Sequence, residues 1–276
     1  MNVKLTSVDN SAEVGHHKIR VLATRPQQQA KPLLQQLQDR GYEAMAFPCL
    51  AIEPISADSA MAQQCSVRAT EIDRYQHIIV VSANAAAFWL PWVNRYWIKL
   101  PITLHWWAIG EATGYRLQAF DIHAQRPHQG CDSEALLAGL LPQLKARDRV
   151  LIVRGVGGRD TLAAACRAHL AEVDYAECYI RQRTKPSKAD IAQVASYNPL
   201  AVLCQSGETL INFNHIMPAQ LWLKRHRILI VAPSQRVADL AYSLGFRRVK
   251  ISVGASDQAM CNALDEYYYV SSHQVN

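Results

Sequence analysis

The chain has 276 residues, 50% of them hydrophobic, and a formal net charge of +6. That content excludes a disordered, collagen-like or coiled-coil protein, and it is enough for one large or two small hydrophobic cores. Lys and Arg are scattered rather than gathered in a run, so the positive balance fits an anionic small molecule as well as nucleic acid.

Seven cysteines form an odd set with no C-x-x-C pair, and most lie inside apolar runs. They read as buried, reduced thiols of a cytoplasmic protein rather than as a disulfide framework. Ten histidines include no H-E-x-x-H, and His16-His17 reads as part of a solvated tail, so no metal is expected. Residues 1–17 carry Asp9 and Glu13 and lack an apolar centre, unlike a signal peptide.

The first unit opens with Ile19-Arg20-Val21-Leu22-Ala23, a buried strand, and turns at Thr24-Arg25-Pro26. A helix follows, with Ala30, Leu33, Leu34 and Leu37 on one face at i, i+3, i+4 and i+7. Pro26 suits its first turn and Gly41 its C-terminal cap. Tyr75 to Asn94 holds no charged residue and nearly has the length of a membrane span. Ser82, Asn84 and Pro91 interrupt it, so it reads as a strand at His77–Val81 turning into a helix, and no membrane association is expected. Trp89, Trp92, Trp97, Trp106 and Trp107 follow in an aromatic run. Aromatics interleaved with base stack on nucleobases, but only Arg95 and Lys99 accompany these, so they read as packing residues.

Further along come the turn Gly110-Glu111-Ala112-Thr113, the helix start Asp132-Ser133-Glu134-Ala135-Leu136 and the strand Val150–Arg154. The loop Arg154-Gly155-Val156-Gly157-Gly158-Arg159-Asp160 lacks the Gly-Lys-Ser/Thr ending of a P-loop and the spacing of G-x-G-x-x-G. It leaves a nucleotide or sugar-phosphate enzyme as an alternative reading. Ser206-Gly207 and Pro233-Ser234 mark two more strand-to-helix turns. The last of these leads into a helix with Val237, Ala238, Leu240, Ala241 and Leu244 inward and Gly245 as its cap. Alternating strand and helix predicts α/β architecture with parallel sheets covered on both faces.

These units also repeat as a set. Val21–Arg25 resembles Val150–Arg154, Val81–Asn84 resembles Gln205–Glu208, Ala108–Ala112 resembles Ile230–Ser234, and Ser133–Leu136 resembles Asp257–Met260. Four pairs in one order, each about 125 residues apart, predict two copies of a small doubly wound domain. In such sheets ligands bind beyond the carboxyl ends of the strands. Those ends carry Arg25, Ser82, Asn84, Thr113, Arg154, Gly155, Ser206 and Ser234, each leading toward a helix whose free N–H groups favour anions. Any single Ser, Thr or Asn there is equally explained as an N-cap. The concentration of hydroxyls, amides and arginines at one class of position is what points to substrate binding. A two-lobed, non-catalytic small-molecule binder would share this architecture.

In this order, Val-Leu-Ala-Thr-Arg-Pro, Val-Val-Ser-Ala-Asn-Ala, Ala-Ile-Gly-Glu-Ala-Thr, Asp-Ser-Glu-Ala-Leu-Leu, Leu-Ile-Val-Arg-Gly-Val-Gly-Gly-Arg and Cys-Tyr-Ile-Arg resemble the uroporphyrinogen-III synthase family. The resemblance covers roughly residues 18–265. It implies two flavodoxin-like, doubly wound parallel-sheet domains joined by two antiparallel connecting strands. One domain would comprise 18–52 with 180–265 and the other 53–179, leaving 1–17 and 266–276 as tails. It also implies a cytoplasmic monomer without cofactor or metal, acting on hydroxymethylbilane, a linear tetrapyrrole with eight carboxylates, and not on nucleic acid. The terminal hydroxyl leaves to give an azafulvene. Attack at the substituted carbon of ring D gives a spiro intermediate, and rearrangement closes the ring with that pyrrole inverted. By the same resemblance Tyr179 helps the hydroxyl leave, Ser82 and Ser206 match the cleft serines of the two halves, and Thr113 matches the threonine of a Gly-x-x-Thr turn. Two places depart from the family pattern: Ala232-Pro233-Ser234 replaces a second Gly-x-x-Thr, and Cys204-Gln205-Ser206 replaces Phe-Thr-Ser.

Overall fold

A computed structural model describes residues 19–127, 130 and 132–273. The expected tail 1–17, the end of the other tail at 274–276 and Cys131 lie outside the described residues. The described chain divides into two units, one built up to Leu50 and from Arg183 onward, the other from Ala51–Gln182. The boundaries expected from the family resemblance fall after residues 52 and 179 instead.

In the first unit β1 (Arg20–Ala23), β2 (Glu43–Ala46), β8 (Ala201–Leu203), β9 (Leu229–Ala232) and β10 (Arg248–Ile251) form one sheet in the order β10-β9-β8-β1-β2. All four pairings are parallel. Numbered within the unit, that order is the flavodoxin-like 2-1-3-4-5, with its switch point between β1 and β8. Val21, Leu22 and Ala23 are fully buried, as a central parallel strand covered on both faces requires. Alternation sorts the strand residues onto two layers. Leu22, Val202 and Ile230 pack with Leu210, Phe213 and Val237, which lie on α8 (Gly207–Ile216) and α10 (Gln235–Ser243). Val21, Leu203 and Val231 pack with Leu33 and Leu37 of α1 (Gln27–Asp39) and Met260 and Leu264 of α11 (Asp257–His273). Gly41 and Gly245 follow α1 and α10 with φ of 85° and 90°, the left-handed conformation a helix C-terminus often needs. Pro26 is the N-cap of α1 rather than a residue of its first turn. The helix α11 runs through positions expected to be tail, because Tyr267 and Tyr268 pack against the β1–β8 layer.

In the second unit β3 (Leu50–Pro54), β4 (His77–Val80), β5 (His105–Ala108), β6 (Arg149–Gly155) and β7 (Glu172–Arg183) form a sheet in the order β3-β7-β6-β4-β5. Counted from β4, this repeats 2-1-3-4, and β3, the strand along which the chain arrives, takes the fifth place beside β7. The pairings β4–β5, β4–β6 and β6–β7 are parallel. One face packs Ile78, Val80, Leu151 and Val153 against α2 (Ala60–Thr70), α3 (Ala83–Tyr96) and α4 (Glu111–Gln118). The other packs Ile79, Val150 and Ile152 against α5 (Ser133–Leu140) and α6 (Thr161–Ala168). Trp89, Trp106 and Trp107 are buried, and Trp92 and Trp97 are partly buried against the first of these clusters, so the aromatic run serves the core. The remaining helices are α7 (Lys188–Tyr197), started by a Ser187–Asp190 capping box, and the short α9 (Ala219–Leu223). No helix among the described residues is long and apolar enough to cross a membrane.

Candidate active site

The carboxyl ends of β4 and β6, at the switch point of the second unit, and the adjoining part of β7 bring three of the expected residues together: Ser82, Gly155 and Tyr179. Ser82 is the N-cap of α3, its Oγ accepting the Ala85 N–H at 3.0 Å. The same Oγ lies 3.2 Å from the Tyr179 phenol oxygen. Tyr179 is 5% exposed. Its ring lies over Gly155, so closely that a Cβ at that position would sit 2.5 Å from Cε2 and 2.6 Å from Cζ. On another side Phe88 stacks on the ring, centroids 5.7 Å apart and planes 28° apart.

A strand irregularity makes this arrangement possible. Pairing of β6 with β7 runs regularly to Arg154↔Glu177 and then shifts, so that Gly155 pairs with Tyr179 and Cys178 has no partner across the ladder. Such a bulge re-aims side chains. Cys178 and Tyr179, consecutive residues that a regular strand would send to opposite faces, both enter the same core cluster. The Val156 N–H donates to the Tyr179 carbonyl at 2.9 Å and closes the bulge. Cys178 is 1% exposed and packs in that cluster, where burial pushes its thiol well above its ordinary range.

Arg154 turns toward its own loop. Its guanidinium binds Glu177 through Nε and Nη2, each at 3.0 Å, and Asp160 through Nη1 at 3.2 Å. It donates to the Gly158 and Arg159 carbonyls and lies 3.8 Å from the centroid of the Tyr175 ring. Tyr175 in turn donates to Asp160 at 2.8 Å, and the bonds from Tyr175 and Arg154 hold the Asp160 carboxyl below its usual range. The loop after β6 therefore shows carbonyls to a cation that is already engaged. A phosphate cradle would show free N–H groups.

Of the other expected residues, Thr113 is 3% exposed in the first turn of α4, whose N-cap Gly110 supplies no side-chain bond. Asn84 lies in the first turn of α3. In the first unit Arg25 is engaged by Asp257 at 2.8 Å and donates to the Ala255 carbonyl at 2.9 Å. Burial raises the Asp257 carboxyl, and Arg25 opposes that rise. Ser206 caps α8 through the Thr209 N–H at 3.1 Å. Ser234 occupies the N-cap of α10 without a side-chain cap bond. Thr24, buried beside them, donates to the Leu203 carbonyl at 2.6 Å and ties β1 to β8.

Phe88 and the Asp160–Tyr175–Glu177 set were not singled out from the sequence. Phe88 carried a signal: it lies three residues after Ala85, the residue bonded to the Ser82 cap, and so on the same helix face. Among the described residues no group of three or more His, Cys, Asp or Glu is placed to hold a metal ion.

The family model described as uroporphyrinogen-III synthase HemD matches residues 31–262. The uroporphyrinogen-III synthase of Salmonella typhimurium is 32% identical over 253 residues, covering 88% of this chain and 99% of the relative. That of Escherichia coli is 30% identical over 256 residues, with the same coverage. Among solved structures, a mutant uroporphyrinogen III synthase from the extremely thermophilic bacterium Thermus thermophilus superposes with a TM-score of 0.60 at 11% identity, covering 92% of this chain and 99% of that one. The uroporphyrinogen-III synthetase of Helicobacter pylori gives 0.59 at 12% identity, with coverages of 90% and 99%. These structural likenesses carry the fold, and the sequence matches carry the kinship. By the family match over most of its length and by its relatives in Salmonella and Escherichia, this chain belongs to the uroporphyrinogen-III synthase family.

Proposed function

We propose that the chain closes hydroxymethylbilane to uroporphyrinogen III and that Tyr179 is the residue that assists loss of the terminal hydroxyl. The observation that carries this reading is the seat of Tyr179: its phenol lies 3.2 Å from the Ser82 hydroxyl at the carboxyl edge of the second sheet. The reaction asks for little covalent chemistry from protein. The pyrrole nitrogen's electron pair drives out the hydroxyl, which takes a proton and leaves as water, while the nitrogen gives up its own N–H proton. The azafulvene so formed is attacked by the substituted carbon of ring D, and the spiro intermediate rearranges to the inverted macrocycle. A hydrogen bond donated to the departing oxygen stabilises charge where it develops. Favouring the inverted product a hundredfold over direct closure takes about 2.7 kcal/mol of barrier difference. Orientation of a curled polyanion supplies energies of that order.

The substrate's carboxylates suit strand-to-helix turns that offer free N–H groups, such as those before α4 and α10, where no side chain caps the helix. Arg25 and Arg154, both engaged within their own units, act on such a substrate by holding turns in shape. We further assign the protein to the cytoplasm as a monomer that needs no cofactor or metal and has no nucleic-acid partner.

Tyr179→Phe tests the site. It keeps the ring that packs on Phe88 and Gly155 and removes only the O–H. The melting temperature should hold while kcat falls by about a hundredfold or more, as for loss of general-acid help. The fraction of the uninverted type I isomer should rise as spontaneous closure competes. A variant with wild-type kcat eliminates Tyr179 as the acid.

A further inference from the structure

We propose that Ser82 is a positioning residue that fixes the direction of the Tyr179 hydrogen bond, forming a relay that runs from the α3 N-terminus through Ser82 and Tyr179 to the departing hydroxyl. This rests on the reading of Tyr179 as the acid. A serine hydroxyl has one proton and two acceptor sites. One acceptor site of Ser82 is occupied by the Ala85 N–H at 3.0 Å. The partner at 3.2 Å is the Tyr179 phenol, itself one donor and an acceptor. Two directions satisfy that distance. In one, Tyr179 donates to Ser82, and its only proton points away from substrate. In the other, Ser82 donates to Tyr179, and the phenol proton is left to donate outward. Only the second leaves Tyr179 able to assist the leaving group without first breaking a bond.

The surroundings push toward the second direction, against the phenol's greater intrinsic strength as a donor. The Ala85 N–H belongs to the first turn of a fourteen-residue helix and draws electron density from the Ser82 oxygen. A hydroxyl that accepts in this way becomes a better donor, and the phenol that accepts from it becomes a better donor in turn. The ring cannot swing to another partner, because Gly155 lies beneath it at a distance that admits no Cβ and Phe88 stacks on it at 5.7 Å. The bulge at Arg154/Gly155 sets the height of the phenol. Ser82 thus acts through Tyr179 and does not itself touch substrate.

Three variants separate this from a plain anchoring bond. Ser82→Gly removes the hydroxyl yet leaves an N-cap residue almost as good as serine, so α3 and the melting temperature should be little changed. Ser82→Thr keeps both the cap and the donor. In Ser82→Gly kcat should fall about five- to tenfold, the worth of one hydrogen bond, with KM unchanged. Ser82→Thr should restore most of the rate. In a Tyr179→Phe background, Ser82→Gly should cost nothing further, because the relay already lacks its end. If Ser82 only anchors the ring, Ser82→Gly frees the phenol proton and kcat holds. If Ser82 binds substrate directly, KM rises and the loss adds to that of Tyr179→Phe. Either result overturns the relay. A normal rate in Tyr179→Phe alone overturns the underlying reading instead, so the two failures are distinguishable.

Discussion

Gly155→Ala probes the seat of Tyr179 without touching any reactive group. A Cβ there would lie 2.5 Å from Cε2, 2.6 Å from Cζ and 3.1 Å from Cδ2 of the ring. Carbon atoms need about 3.5 Å, so the ring must retreat by about 1 Å. It cannot retreat freely, because Phe88 is stacked on it and Cys178 beside it is buried. The Ser82–Tyr179 distance is already 3.2 Å, beyond the roughly 2.5–3.0 Å usual for two hydroxyls, and a shift of that size away from Ser82 breaks the bond. Overpacking of this kind costs about 1–3 kcal/mol of stability. At about 2–4 °C per kcal/mol the melting temperature drops by several degrees and the protein stays folded at assay temperature. Misplacing an acid by 1 Å costs about a hundredfold in rate. The assay is kcat and isomer composition at a temperature well below the measured melting point, where the type I fraction should rise. Gly155→Ala with reduced stability but a wild-type rate and isomer ratio would refute the claim that the Gly155 seat sets the chemistry.

Two further outcomes follow from other contacts. His77, 2% exposed, accepts the Trp107 indole N–H on Nδ1 at 3.2 Å and faces Asp148 through Nε2 at 3.4 Å, so protonating Nδ1 sets two donors against each other. Burial lowers its pKa below 6.5 against an opposing pull from Asp148, while the stacked His105 lowers it further. The unfolded chain therefore binds the proton more readily. The stabilisation is complete above pH 6.5 and is lost as pH falls through the folded value, with a slope of at most about 1.4 kcal/mol per pH unit. Urea midpoints should fall from pH 7 to pH 5.5 by more in the wild type than in His77→Gln, and equal shifts would count against it. Arg154→Lys loses the paired bonds to Glu177 and the stack on Tyr175, so amide exchange across residues 156–160 should quicken severalfold. Unchanged exchange there would show that Arg154 does not hold the loop.

The parallel α/β class was legible because strands such as Val21–Ala23 are apolar on both faces and each is followed by a helix-period pattern. Gly41 and Gly245 announced helix ends through the conformation only glycine adopts easily, and both have φ near 90°. Ser82 and Ser206 stood out as hydroxyls at strand ends, and both accept an N-cap bond in the structure. What could not be read was any feature set by a partner distant in sequence. The direction of Arg154 depends on Glu177, 23 residues on, and on the Tyr175 face. The bulge that turns Tyr179 over Gly155 depends on a ladder between two strands, and no local pattern in Cys178-Tyr179 announces it. The end of α11 was missed for the same reason. Tyr267 and Tyr268 look like an aromatic tail until the sheet layer they cover is in place. At Ser234 the hydroxyl suggested a cap, yet its side chain makes no cap bond; the sequence's one warning was that Ala232-Pro233-Ser234 stands where the family has Gly-x-x-Thr.

Whether the ring closes inverted is read from the product itself. The purified chain, without added metal or cofactor, would be given freshly generated hydroxymethylbilane, the product oxidised and the uroporphyrin isomers separated. The type III isomer should appear in large excess over an enzyme-free control. Type I alone, in the amount that spontaneous closure gives, would overturn the assignment.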